Sequence, residues 1–195
     1  NFWGDWLRVE VGYAGVLTLF LAAAAIAFRP NRQTFFFIIA GLFFLLLALG
    51  PATPLYPFLA RSLPSIPFQV PARFVLLLDF CLAVLAAVGL DVLLASKQLS
   101  PRRARVLLIG SAFVAAGIAL GLFLQIGDLT RIEPDRAGQM TRALGVFIGL
   151  ALASWLILLA GLRRWLPPLA LATAALVVLF ADLYGLGRYL EIDWN

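Results

Sequence analysis

The sequence predicts an all-α protein: a polytopic transmembrane bundle of about six spanning helices, forming a single domain over residues 1–195. The chain is 63% hydrophobic with a mean hydropathy of +1.00, whereas a soluble domain is only about half apolar. Long apolar runs recur, each close to the roughly 20 residues that cross a bilayer as a helix. Most charged residues lie in the gaps between these runs. The lipid bilayer is therefore the first partner we expect.

Hydropathy read in windows of about 19 residues separates these runs into six spans. The breaks after the first, third and fifth spans are short and basic, and those after the second and fourth are longer and contain proline. In chain order, the spans are predicted at 11–28, 33–50, 73–95, 106–126, 142–162 and 169–187.

The first two spans are uncharged runs separated by "RPNR". Ahead of them, Trp3 and Trp6 lie among charged residues, which is typical of a lead-in at headgroup level. The first ten residues have neither an initiator Met nor the basic start of a signal peptide. We therefore expect this chain to be part of a larger membrane protein.

Between the second and third spans, residues 51–72 contain more than half of the prolines. This segment is too apolar for a solvated loop, and we expect it to lie at the membrane interface. Residues 55–63 suit a short amphipathic helix with Arg61 toward the headgroups. They equally suit a connector stiffened by proline.

The halves of the third and sixth spans that are away from the basic loops each contain one carboxylate, Asp79 and Asp182. A charged group near the bilayer centre costs roughly 2.5 to 3.5 kcal/mol, so both should face protein or a wet cavity, in one polar layer. Ala83 and Ala86 share a helix face with Asp79 and favour close contact with a neighbouring helix. Arg73, at the start of the third span, should mark the interface above it. The alternative is that both carboxylates only hold the bundle together.

The fourth and fifth spans each contain two glycines four residues apart: Gly117 with Gly121, and Gly145 with Gly149. Glycine allows helix backbones to approach closely in lipid. We therefore expect these spans to cross at the four glycines as an antiparallel pair.

Orientation follows from Lys and Arg in the short loops. The breaks after the first, third and fifth spans hold eight basic residues with one acid nearby, whereas the other breaks and the termini mix seven basic residues with acids. This pattern predicts that both ends of the chain, and residues 51–72 and 127–141, are extracytoplasmic.

Several functional classes find no support in the residues. There is no histidine and one cysteine, Cys81, so neither a disulfide framework nor a Cys/His metal site is expected. The 15 basic and 10 acidic residues form no continuous patch, which argues against a nucleic-acid partner. No motif identifies a cofactor, and the catalytic residues stay unknown.

Three stretches of the chain carry a resemblance to a known family: the run "LLLALGPATPLYPFLARSLPSIPFQVPARFVLLLDFCLAVLAAVGLDVLL", with "EVGYAGVLTLFLAAAAIAFR" upstream and "LFADLYGLGR" downstream. In these stretches the chain resembles the later membrane part of bacterial YfhO-type membrane proteins, which are similar to GT-C glycosyltransferases. Pro71, Arg73, Asp91 and Asp182 match the family pattern, whereas Gln69 stands where the family has an arginine. The resemblance implies a carboxyl-side part of a multi-pass protein of the bacterial inner membrane. It implies transfer of a sugar from a polyprenyl-phosphate carrier to an extracytoplasmic acceptor, with the acidic residue that acts as catalytic base on another part of the same polypeptide.

From this resemblance and the residue chemistry, the candidate substrate- or carrier-binding residues are Arg61, Arg73, Asp79 and Asp182. The two arginines flank the proline-rich segment, where an anionic carrier headgroup would arrive. A transporter or flippase-like subunit is the alternative, with the two carboxylates on its substrate path. A purely structural membrane scaffold is a third possibility.

Overall fold

The structure is a computed structural model, and it describes residues 13–54, 58, 62, 73–95, 99–132 and 134–191. Within these residues the chain is helical and contains no strand, which confirms the predicted helical membrane bundle. A 3₁₀ turn, Gly50–Ala52, follows the second helix. The α-helices are α1 Val16–Phe28, α2 Arg32–Ala48, α3 Phe74–Leu94, α4 Pro101–Ile132, α5 Pro134–Arg163 and α6 Pro168–Glu191.

Four of these helices, α3 to α6, contain segments long and apolar enough to cross a membrane. Proline occupies the first position of α4, α5 and α6, where its missing N–H costs no helical hydrogen bond. In contrast, α1 has 13 residues and α2 has 17. At 1.5 Å per residue α1 is about 20 Å long, which is shorter than the roughly 30 Å hydrocarbon core of a bilayer.

A tight turn joins α1 to α2. The Asn31 side chain accepts a hydrogen bond from the backbone N–H of Thr34 at 2.8 Å, and the Thr34 hydroxyl donates to the Arg29 carbonyl at 2.7 Å. Asn31 is therefore the N-cap of α2. These bonds satisfy backbone groups at the end of one helix and the start of the next.

The short helix α1 lies at the centre of the bundle. It packs most extensively on α3 and also contacts α4, α5 and α6, whereas the main partner of α2 is α3. Its residues Leu17, Ala24 and Ala25 are almost completely buried. The largest buried cluster joins α1 to Leu93, Leu158 and other residues near the basic loops, so the bundle is packed most tightly at that end.

The closest approach between helices is the crossing of α1 and α3 at Gly89. A Cβ atom added to Gly89 would lie 1.8 Å from the Leu21 carbonyl oxygen and 3.2 Å from the Ala25 backbone nitrogen. The two backbones are therefore in direct contact, as small residues permit between membrane helices.

The predicted glycine contact between the fourth and fifth spans is wrong. The two helices, α4 and α5, do pack against each other, but Gly117, Gly121, Gly145 and Gly149 are exposed. A Cβ atom added to any of them would meet no atom of the described residues within 4 Å. Alanines on the opposite side of α4 approach α5 instead: Ala112, Ala115, Ala116 and Ala119.

Candidate functional site

The best-defined polar site is formed by Asp182 of α6 and the start of α1. The Asp182 side chain is 3% exposed. Its Oδ2 atom accepts a hydrogen bond from the backbone N–H of Val16 at 2.8 Å, and its Oδ1 atom accepts one from the Tyr13 hydroxyl at 2.5 Å. Asp182 is thereby joined to Val16, which is 166 positions earlier in the chain, and to Tyr13, which is 169 positions earlier.

The local backbone explains why this carboxylate is needed. Gly15 is the N-cap of α1, with φ at +89° and ψ at 147°, and it has no side chain to cap the helix. Asp182 supplies the missing acceptor from another helix and places a negative charge at the positive end of the α1 dipole. A Cβ atom at Gly15 would lie 3.1 Å from Asp182 Oδ2, so both the conformation and the space favour glycine.

Tyr13 is the second donor and lies outside the helices. Its hydroxyl donates to Asp182 Oδ1, and a phenol carries its proton near neutral pH. Tyr13 therefore stays a hydrogen-bond donor to the Asp182 carboxylate.

The site lies at membrane depth if α6 spans the bilayer. Asp182 is 14 residues beyond Pro168, which corresponds to about 21 Å along a helix. Backbone that is not helical at such depth must find polar partners within the protein. Asp182 and Tyr13 provide them, so the geometry gives Asp182 a capping role, and its substrate-binding role stays a prediction.

Asp79 of α3 has a different environment. It is half-buried at the edge of the packed face, and its carboxylate makes no hydrogen bond or ion pair within the described part of the chain. The packed face runs through Cys81, Leu85 and Gly89, and Ala83 is exposed. Of the predicted Asp79, Ala83 and Ala86 stripe, Ala86 alone lies in the packed face, where it is buried in the core cluster, because the crossing at Gly89 fixes the rotation of α3.

The structure does not join the two carboxylates in one site. Among the described residues, Asp182 bonds only to the segment before α1 and its first turn, and Asp79 shares neither donor. Arg73 is exposed directly before α3, six residues from Asp79. Of the predicted site residues that the structure describes, Arg73 and Asp79 both lie at the amino-terminal end of α3, and Asp182 lies on a different helix.

The remaining positions that the sequence singled out are Arg61 and Asp91. Arg61 lies outside the described residues, although in the same segment the Ser62 hydroxyl donates to the Phe58 carbonyl at 2.8 Å, a spacing found within a helical turn. Asp91 forms an ion pair with Arg29 at the other end of α3, and both side chains are substantially exposed. Such an exposed pair contributes only about 0 to 1 kcal/mol.

Comparison of the chain with models of known protein families, with characterised proteins and with solved structures gives no match. The class that the fold defines is a multi-pass helical membrane protein.

The sequence did not predict two features of the structure: the contact of Asp182 with Tyr13 and the helix start at Gly15, and the close crossing of α1 and α3 at Gly89. Part of the evidence for each is present in the sequence. Asp182 lies in an apolar span, and Gly89 is a single glycine that faces the alanine-rich run "LAAAAIA".

Proposed function

We propose that this chain forms part of the membrane domain of a glycosyltransferase that moves a sugar from a polyprenyl-phosphate carrier to an extracytoplasmic acceptor. The observation that carries the proposal is the Asp79 carboxylate on α3, which has no partner among the residues that the structure describes, with exposed Arg73 six residues before it. An ionisable group within a spanning helix is costly and marks a functional site by default. Asp182, by contrast, is already engaged in capping α1.

The chemistry of the pair fits a carrier that has both a phosphate and a sugar. A guanidinium binds phosphate oxygens through two parallel hydrogen bonds, which suits Arg73, with Arg61 as a second cation from the proline-rich segment. A carboxylate accepts hydrogen bonds from sugar hydroxyls. Six helical residues separate Arg73 and Asp79 by about 9 Å along the axis and about 120° around it, so the two groups do not pair with each other and would contact different parts of a ligand that extends around the end of α3.

In this function Arg61, Arg73 and Asp79 bind and position the carrier, and the acidic residue that acts as catalytic base lies on another part of the polypeptide. The site would face the extracytoplasmic side of a bacterial inner membrane. The resemblance to the YfhO-type proteins supports this assignment together with the basic loops at the opposite end of the bundle.

The test is sugar transfer by the full-length protein in proteoliposomes, with a polyprenyl-phosphate-linked sugar carrying a radioactive label. Arg73→Ala and Asp79→Asn should each lower the initial rate at least tenfold, a loss of about 1.4 kcal/mol. Arg163→Ala removes an exposed arginine at the other end of the bundle and should leave the rate unchanged. Thermal unfolding of each variant reports whether it is folded.

Two results would contradict the proposal. One is transfer at the wild-type rate by folded Arg73→Ala and Asp79→Asn variants. The other is the absence of transfer by the wild type together with ion-coupled substrate uptake that Asp79→Asn abolishes. That second outcome would establish the transporter alternative, because an unpaired carboxylate on a spanning helix also suits a coupling site.

A further inference from the structure

A long apolar groove of about 730 Å³ runs between α1 and α4, and Phe147 of α5 contributes to its lining. The two helices run in opposite directions along it. At one end Arg103 of α4 reaches the C-terminal turn of α1, and near the other end Val16 and Phe20 of α1 cluster with Ala115 of α4. The groove therefore has a defined long axis.

The dimensions of the groove fit one lipid chain. From Val16 to Ala27 the lining of α1 covers 11 residue steps, or about 17 Å. This is close to half of the roughly 30 Å hydrocarbon core, the depth of a single leaflet. The rim is open to the bilayer, since Leu19 is 50% exposed and Val114 is 62% exposed.

Polarity is concentrated at one end of the groove. Arg102 and Arg103 line the end next to the basic loop, and both are exposed. Arg103 donates through Nη1 to the Ala27 carbonyl at 3.3 Å, which holds its guanidinium at the groove mouth and leaves further N–H groups to donate. Ser111, the remaining polar side chain of the lining, is bonded to the Leu108 carbonyl at 3.1 Å.

From this arrangement we propose that the groove binds one anionic phospholipid from the leaflet on the side of the basic loops. An acyl chain lies along α1 and α4, and the phosphate contacts Arg102 and Arg103. Basic pockets between membrane helices on that side suit anionic headgroups, and the apolar length below suits a hydrocarbon chain. This inference is independent of the proposed transferase function, because the groove opens at the opposite end of the bundle from Arg73.

The experiment is native mass spectrometry of the delipidated full-length protein, titrated with phosphatidylglycerol or with phosphatidylcholine of the same chain length. The wild type should bind one phosphatidylglycerol at least tenfold more tightly than phosphatidylcholine, equal to about 1.4 kcal/mol. The double variant R102Q/R103Q should bind both lipids equally. Its unfolding temperature should stay near that of the wild type, because both arginines are exposed.

A second variant tests the groove itself. Gly110 lines it, and a Cβ atom there would meet no atom of the described residues within 4 Å, so Gly110→Leu fills the groove without a backbone clash. This variant should bind both lipids less tightly. The matched control is Gly117→Leu, on the same helix outside the groove and equally open, which should bind as the wild type does.

Three binding results and one crosslinking result would overturn the proposal. The first is equal affinity of the wild type for the two lipids. The second is an unchanged preference for phosphatidylglycerol in folded R102Q/R103Q, and the third is unchanged binding in folded Gly110→Leu. A photoreactive group at Val114 that crosslinks to a protein segment in native membranes, and not to phospholipid, would likewise show that another occupant fills the groove.

Discussion

Replacing Gly89 with alanine should destabilise the bundle more than any other change of one methyl group in α3. The added Cβ atom would lie 1.8 Å from the Leu21 carbonyl oxygen, whereas ordinary contact begins at 3.4 Å. Backbone of α1 must therefore shift by about 1.6 Å, the difference between these distances, because a carbonyl oxygen cannot rotate away as a side chain can. Overpacking of this kind costs about 1 to 3 kcal/mol.

Alanine also has a higher helix propensity than glycine, by about 0.5 to 1 kcal/mol. Taking the upper end of the packing cost and subtracting this gain leaves a net loss of about 2 kcal/mol. The upper end of the packing cost applies because α1 is the central helix, and a shift of α1 also disturbs the contacts of Leu17 and Ala24.

The assay is equilibrium unfolding of the purified protein in mixed micelles, followed by circular dichroism while the fraction of sodium dodecyl sulfate is raised. Gly117→Ala is the matched control, since it makes the same chemical change at an exposed helical position with no atom of the described residues within 4 Å. It should be neutral or gain up to about 1 kcal/mol. Equal unfolding midpoints for the two variants would refute the close crossing of α1 and α3.

Further predictions concern buried polar groups. Asp182→Leu removes the acceptor of two hydrogen bonds. Because each bond to a charged group contributes about 1.5 to 3 kcal/mol, this variant should lower the free energy of unfolding by about 3 kcal/mol or more. Asp182→Asn keeps one acceptor oxygen, so its free energy of unfolding should fall by about half as much. Identical unfolding of the two Asp182 variants would argue against capping. Ser154 has a buried hydroxyl with no hydrogen-bond partner among the described residues, so Ser154→Ala should be neutral or stabilising by up to about 1 kcal/mol. A loss above that value would reveal a partner for the hydroxyl.

The helices and their order could be predicted from the sequence because each apolar run is close to the thickness of a bilayer. The start of α1 could not be predicted in the same way. Residues 11–28 are uncharged and contain two glycines near their start, Gly12 and Gly15, and neither the charge nor the hydropathy of the run marks Val16 as the first helical residue. That boundary depends on Asp182, whose contact with α1 is a tertiary one that a window of 19 residues does not contain.

The glycine pairs show a second limit of sequence reasoning. Spacing of four residues places two glycines on one face of a helix, but it does not say which face meets a neighbour. In α4 the face toward α5 is lined by alanines, and Trp155 of α5 donates its indole N–H to the Leu108 carbonyl of α4 at 3.1 Å. Gly117 and Gly121 lie on the other side. The close contact occurs at the isolated Gly89, which no paired motif marks.

For the candidate site, the sequence identified Asp79 and Asp182 as costly groups in spans but could not separate their roles. Their positions in the apolar runs are alike, and only the packing distinguishes them. Asp182 meets a helix end that has no cap of its own. Asp79 lies at the margin of α3, where the rotation set by Gly89 leaves it half-exposed.

The capping of α1 by α6 has a consequence for biogenesis. The ribosome makes Val16 long before Asp182, with 166 residue positions between them. At about 5 to 20 residues per second, roughly 8 to 33 seconds pass before the first helix can meet its acceptor. Until then the amino end of this short helix lacks the acceptor that Asp182 provides, so the packing of α1 is complete only after α6 has been inserted. A chain truncated before α6 should therefore hold α1 less firmly than the whole bundle does.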